Sequence, residues 1–162
     1  MKIQIRRYRN SDFEELVRCV EELQDFIVNI DSLKRCLRLP AYGKKYVSLL
    51  IKKVHRSSGI ILLAEYKQEV IGCVVGIIEK QTKDNLLECV PTKAGRILEL
   101  FVSPNYRSRG IGKLLINKLE HYFNKSKCDV VRVKVFQPNK IAHNFYYKLN
   151  YHDRVIDMIK QA

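Results

Sequence analysis

Six residues, Arg107-Ser108-Arg109-Gly110-Ile111-Gly112, constrain this chain most, because they join an apolar, strand-like run at 96–102 to a helix-patterned run beginning at Ile111. Two glycines two positions apart let the backbone turn sharply and come close to a ligand. The helix that follows offers unpaired N–H groups and the positive end of its dipole to an anion. A pyrophosphate fits that arrangement, and the guanidiniums of Arg107 and Arg109 add charge-assisted, two-pronged hydrogen bonds. Two better-known phosphate loops are excluded by spacing. The P-loop requires Gly-x-x-x-x-Gly-Lys-Ser/Thr, and the dinucleotide fingerprint requires a third glycine and a carboxylate about 20 residues on.

The pattern on either side fixes the class of fold. Residues 3–6 alternate apolar and polar as a half-buried strand does, and Asn10, Ser11 and Asp12 supply helix-start chemistry. Phe13, Leu16, Val17, Val20, Leu23 and Ile27 then recur at three- and four-residue steps, which is one buried stripe. Residues 33–40 follow no clear pattern. A second amphipathic helix is expected at 42–55, carrying Tyr46, Leu49, Leu50 and Val54 and ended by Ser57-Ser58-Gly59. The β-branched runs 60–66 and 70–78, separated by Lys67-Gln68-Glu69, read as a hairpin whose continuous apolarity implies a sheet covered on both faces. A polar loop is expected at 79–92. Beyond it come strand 96–102, then helix 110–125 with Ile111, Leu114, Leu115, Leu119, Tyr122 and Phe123 on one side. Strand 129–136, helix 139–149 and a last strand at 151–159 close the series. The order β-α-α-β-β-β-α-β-α-β implies a mixed α/β sheet with helices packed on its faces, in one domain over residues 1–162.

Two motifs give this order a known counterpart. Arg107-x-x-Gly110-x-Gly112 follows a strand ending in Val102-Ser103-Pro104, and Asn139-Lys140-Ile141-Ala142-His143-Asn144-Phe145-Tyr146-Tyr147-Lys148-Leu149-Asn150-Tyr151 follows the next strand. The chain thereby resembles the GNAT superfamily of acyl-CoA-dependent N-acetyltransferases, whose second motif is Asn-x-x-Ala-x-x-Phe-Tyr-x-Lys-x-Gly-Phe/Tyr. The resemblance covers essentially the whole chain. It implies a mostly antiparallel sheet whose fourth and fifth strands run parallel and splay apart to admit coenzyme A. It also implies that Arg107, Ser108, Arg109, Gly110, Ile111, Gly112 and Lys113 hold the pyrophosphate, and that backbone groups of Phe101 and Val102 pair with pantetheine. Asn139 and Ala142 are expected beside the same chain, Asn139 also capping the helix. Asn150 stands where the family has glycine, and asparagine is the side chain that best tolerates the left-handed backbone needed there.

The implied reaction moves acetyl from acetyl-CoA to a primary amine, of a protein, a peptide or a small molecule, by direct attack in a ternary complex. It needs a base and an acid but no metal. Glu99 is the one carboxylate in the apolar strand 97–102, and a buried carboxylate demands an explanation. It is the candidate base; the alternative is an ion pair with Arg96 or Arg132. Tyr146, four residues after Ala142 on the same helix face, is the candidate acid toward the departing thiolate; the alternative is core packing, the role expected of Phe145 and Tyr147. His121 and His143 receive no role.

Composition narrows the partners. Thirty Lys and Arg against seventeen Asp and Glu give a formal charge of +13, which draws in anions such as a phosphorylated cofactor. The same charge repels a polycation, so a peptide or protein amine is the expected acceptor rather than a free polyamine. A basic nucleic-acid-binding module is the rival reading, but no basic helix or RNP-like strand supports it. A catalytically silent acyl-CoA sensor on the same fold is a third. The five cysteines are widely spaced, with no Cys-x-x-Cys, and most lie in apolar runs, which points to a reducing, cytoplasmic compartment. No apolar run reaches the roughly 18 residues that span a bilayer, so no membrane partner is expected. A homodimer is one assembly compatible with this reading.

Overall fold

The computed structural model describes residues 1–160; residues 161 and 162, the end of the expected domain, lie outside the described residues. Five strands form one sheet in the order β1-β2-β3-β4-β5. They are β1 Gln4–Arg7, β2 Ile60–Tyr66, β3 Glu69–Glu79, β4 Ala94–Val102 and β5 Val130–Val133. The first three junctions are antiparallel, and β4 pairs with β5 in parallel. The helices are α1 Phe13–Ile30, α2 Tyr42–Arg56, the single turn α3 Asn85–Glu88, α4 Ile111–Lys125 and α5 Lys140–Tyr147.

Both faces of the hairpin β2–β3 are buried, as its unbroken apolarity requires. On one face Leu63, Cys73, Val75 and Phe101 pack with Leu16, Val20, Val47 and Leu50 of α1 and α2. On the other, Leu62, Ile71, Val74 and Ile97 pack with Ile111, Leu115, Ile116, Leu119 and Phe123 of α4 and with Tyr146 of α5. Two stripes sit slightly off the expected positions. Leu49 and Leu114 are 65% and 46% exposed, while Val47 and Ile116 are fully buried. Three- and four-residue spacing marks a broad apolar arc, and the neighbouring sheet decides which edge of that arc is covered.

The two junctions that matter for function lie on β4. The β3–β4 register runs Gly72↔Val102, Cys73↔Phe101, Val74↔Leu100, Val75↔Glu99 and then Gly76↔Ile97, so Leu98 is an extra residue, a β-bulge. The bulge sends both Leu98 and Glu99 to the α1–α2 face. The β4–β5 ladder spans only Ala94↔Val130 to Ile97↔Val133. Past the bulge the two strands part, and residues 98–102 have no strand neighbour on that side among the described residues.

One expected element is corrected. Residues 151–160 form no strand, and β5 ends at Val133 rather than at 136. The apolar residues of the last segment have nothing to bury against: Val155, Ile156 and Met158 are 85%, 76% and 89% exposed.

Candidate active site

The loop after β4 is built as its glycines require. A 3-10 turn, Pro104–Tyr106, leads into Ser108 at φ +59° and Gly110 at φ +78°, both left-handed. Only glycine holds that backbone without cost, and a Cβ at Gly110 would point into open space, so the position is shaped for close approach rather than for packing. Gly112 serves packing: a Cβ there would come within 3.2 Å of the Phe145 ring. The first hydrogen bond of α4 is Leu114 N–H to Gly110 O at 3.0 Å. The N–H groups of Ser108, Arg109, Gly110, Ile111, Gly112 and Lys113 have no acceptor among the described residues. Arg107 is partly committed, its Nε donating to Val102 O at 2.9 Å and its guanidinium lying over Phe26 of α1, 5.6 Å from the ring centroid. Arg109 lies 5.8 Å from the centroid of Tyr106.

From this loop an open strand edge runs inward. Ser103 N–H donates to Ile71 O at 2.9 Å and continues the β3–β4 ladder. Alternate residues bond in an antiparallel ladder, so Glu99 and Phe101 turn their N–H and C=O toward β3, whereas Leu100 and Val102 turn theirs toward the gap. Phe101 is therefore corrected as a source of backbone contacts in the gap; its side chain, 3% exposed, fills the α1–α2 core. Leu100 takes its place. Only strand register reveals this, because the bulge at Leu98 resets the alternation.

Among the described residues Glu99 has no cation beside it. Arg96 binds Glu79 through two hydrogen bonds of 3.0 Å, and Arg132 lies 3.9 Å from the same carboxylate, so the alternative ion pair goes to another acid. The partner of Glu99 is the phenol of Tyr46, which donates to Oε1. Tyr42 stacks on Tyr46 with ring centroids 5.3 Å apart. Burial raises the Glu99 carboxyl above the usual carboxylate range, and the Tyr46 hydrogen bond offsets part of that shift. Burial and then the Glu99 charge push Tyr42 up to about 12 and raise Tyr46 as well. Neither tyrosine was legible as a site residue; their four-residue spacing, one turn apart on α2, was the only signal.

On the other side of the gap, Asn139 caps α5 as expected, its Oδ1 accepting from Ala142 N–H at 3.0 Å. Asn150 takes φ +65°, the left-handed value expected of it. Tyr146 is 6% exposed, packed edge-on against Phe145 and Tyr151, and its hydroxyl has no hydrogen-bond partner among the described residues. Burial raises its pKa, and the next cause is the Glu99 charge, which the phenol senses across the gap. Tyr147, expected in the core, is 56% exposed and sits beside His143 and His152. His143 is occupied by Asp153 at 2.8 Å.

Known proteins agree with this layout. The sequence model of the acetyltransferase (GNAT) family matches residues 27–151. The chain belongs to the GNAT acetyltransferase family. An uncharacterised N-acetyltransferase of Methanocaldococcus jannaschii is 36% identical over 90 residues, 55% of this chain and 53% of that protein. The aligned part thus spans about half the length of that curated relative. Among solved structures, a mutant protein of Bacillus halodurans superposes with a TM-score of 0.82 at 19% identity, covering 98% of this chain and 99% of its own. AAC(6')-Iy in complex with the bisubstrate analogue CoA-S-monomethyl-acetylneamine gives a TM-score of 0.73 at 16% identity, covering 100% of both chains. These likenesses establish the GNAT fold, a mixed sheet with one parallel pair and helices on both faces. Membership of the family relates the chain to acetyltransferases by descent. No helix among the described residues is long and apolar enough to cross a membrane.

Proposed function

We propose that this GNAT protein transfers an acetyl group from acetyl-CoA to a primary amine by direct attack while both are held together. One observation carries the reading. Among the described residues, a single open edge joins the six unpaired N–H groups of the loop, the strandless half of β4 and a carboxylate without a cation, Glu99.

The residues present fit the co-substrate: six donors and the clear space over Gly110 suit a pyrophosphate. Acetyl-CoA, when bound, supplies a thioester whose acyl carbon an amine can attack and whose sulfur can leave as thiolate. The loop from Arg107 to Lys113 holds phosphate oxygens through its N–H groups and the Arg109 guanidinium. Leu100 and Val102 pair with pantetheine as a neighbouring strand would, and an N–H of that edge donates to the oxygen on which charge develops. The Asn139 side chain caps α5 with its oxygen and keeps its NH2 free for a pantetheine carbonyl. Ala142, one turn on, leaves room for that chain.

Two proton movements complete the transfer. Glu99, with its carboxyl pKa raised by burial, takes a proton from the ammonium directly or through water. Tyr146, held protonated well past neutral pH, gives one to the departing sulfur. The acceptor is the amine of a peptide or protein, since a formal charge of +13 slows the approach of polycations. The reaction runs in the cytoplasm, where five free cysteines persist.

Thiol release from acetyl-CoA, measured against a panel of lysine peptides, N-terminal peptides, aminoglycosides and spermidine, tests the proposal. Release with a peptide amine supports it. Fastest release with spermidine corrects the acceptor class. CoA binding without release to any amine marks a sensor, and salt-dependent retention of RNA or DNA without CoA binding marks the nucleic-acid reading.

A further inference from the structure

The two oxygens of the Glu99 carboxylate have different surroundings. The bulge at Leu98 turns this side chain to the α1–α2 face, where the Tyr46 phenol donates to Oε1. Oε2 accepts no hydrogen bond among the described residues, yet it is not sealed in: the buried polar side-chain atom left without a partner among those residues is Ser103 Oγ. One oxygen is held and the other stays accessible. Tyr46 is held in turn. Its helix, α2, is pinned to the sheet by the buried Val47, Leu50 and Val54, and Tyr42, one turn earlier, stacks on its ring with centroids 5.3 Å apart and planes 18° from parallel. A ring fixed on a packed helix aims its hydroxyl within narrow limits.

The other ionisable groups that sense Glu99 are Tyr42 of α2, Tyr146 of α5 and the buried thiol of Cys73 on β3. Arg18 of α1, which Cys73 senses, is itself held by Glu15, Glu22 and the Val70 carbonyl. The neutrality of the donor has a chemical consequence. A cation in place of Tyr46 would favour the charged carboxylate so strongly that it took up a proton poorly, and an apolar residue would leave the cost of burial unopposed. A phenol lies between: burial raises the Glu99 carboxyl, and the Tyr46 hydrogen bond draws it part of the way back.

We propose that Tyr46 is a positioning residue for acetyl transfer, its hydroxyl tying down Oε1 so that Oε2 is presented to the amine. The inference rests on the reading of Glu99 as the base. The proton leaves the ammonium for Oε2, directly or through water, and the N–H bonding pair stays on nitrogen as the pair that attacks the acyl carbon. The Tyr46 O–H bond stays intact throughout, because burial and then the Glu99 charge keep that phenol protonated.

Tyr46→Phe removes one oxygen and keeps the stacked ring. Since the phenol favours the charged carboxylate, its loss is expected to displace the ascending limb of kcat/KM to higher pH. At neutral pH kcat/KM is expected to fall about 10-fold, the scale of one hydrogen bond to a charged group, with KM for acetyl-CoA nearly unchanged. Tyr42→Phe keeps the stack and is expected to leave the limb in place. The carboxyl itself is followed separately, by carbon NMR of glutamate-labelled protein, its resonance assigned by its absence in Glu99→Gln. A Glu99 carboxyl that titrates at higher pH in Tyr46→Phe, with the limb displaced alike, supports the proposal. A displaced carboxyl beside an unmoved limb overturns the base reading and, with it, the role of Tyr46 in transfer. An unmoved carboxyl, with a limb that still vanishes in Glu99→Gln, overturns the inference alone, as does a Tyr42→Phe limb displaced as far as that of Tyr46→Phe.

Discussion

β4 has two halves that share one neighbour, β3, and differ in everything else. Along Ala94–Ile97 the strand is closed on both sides, and the carboxylate at its margin, Glu79, is held by Arg96 and by the nearby Arg132. Past the bulge at Leu98 the strand is open on one side among the described residues, and its carboxylate, Glu99, meets a phenol and, among those residues, no cation. The closed half behaves as structure, where charges are neutralised and backbone groups are satisfied. The open half keeps a carboxylate whose charge is costly and backbone groups that wait for a partner. That difference teaches where chemistry is possible: the parting of β4 from β5 and the loop beyond it define one continuous receptive edge.

The sharpest way to break the comparison is to neutralise the two acids. Glu99→Gln keeps the shape and removes the base, so kcat/KM for amine acetylation is expected to fall by about 10³-fold. Glu79→Gln is expected to leave kcat/KM within about 3-fold and to lower stability by about 1 kcal/mol, the scale of a partly exposed ion pair. Equal losses of activity would erase the distinction between the halves. Tyr146→Phe, on the far wall of the gap, is expected to lower turnover by roughly 10²-fold with CoA binding nearly unchanged, read where chemistry limits the rate. Wild-type turnover would return Tyr146 to core packing.

A pH profile sharpens the same contrast. Burial raises the Glu99 carboxyl, so the ascending limb of kcat/KM is expected above the ordinary glutamate value of about 4.3. The limb is absent in Glu99→Gln and intact in Glu79→Gln. The smallest effect is thermal. Because the folded carboxyl binds its proton more tightly than the unfolded one, its stabilising contribution is complete below the unfolded pKa and is lost as pH rises through the folded value. Glu99→Gln removes that loss, and its Tm at pH 8 is expected to exceed the wild type's.

The loop, the helix after it and the Asn139 cap were legible because local chemistry dictates them: glycine at a left-handed position, a capping amide, an apolar period. The open edge was only half legible. Which residues of β4 face the gap depends on a bulge at Leu98, and nothing in an apolar strand announces where an extra residue is tolerated. Tyr46 meets Glu99 across 53 positions of chain, with Tyr42 stacked on it, a contact that helix periodicity carries no trace of. The segment 151–159 failed for the opposite reason: its pattern is a strand's, but strand pattern states a preference for burial and not the identity of the neighbour that provides it.

The central claim is that the open half of β4 and the loop beyond it receive coenzyme A. Calorimetric titration of CoA into the wild type and into Gly110→Asp tests it most directly. The variant sets a carboxylate into the clear space over Gly110, at left-handed backbone, where phosphate must approach. The account predicts one CoA bound per wild-type chain and none detectable by the folded variant; equal binding by both, or no binding by the wild type, would contradict it.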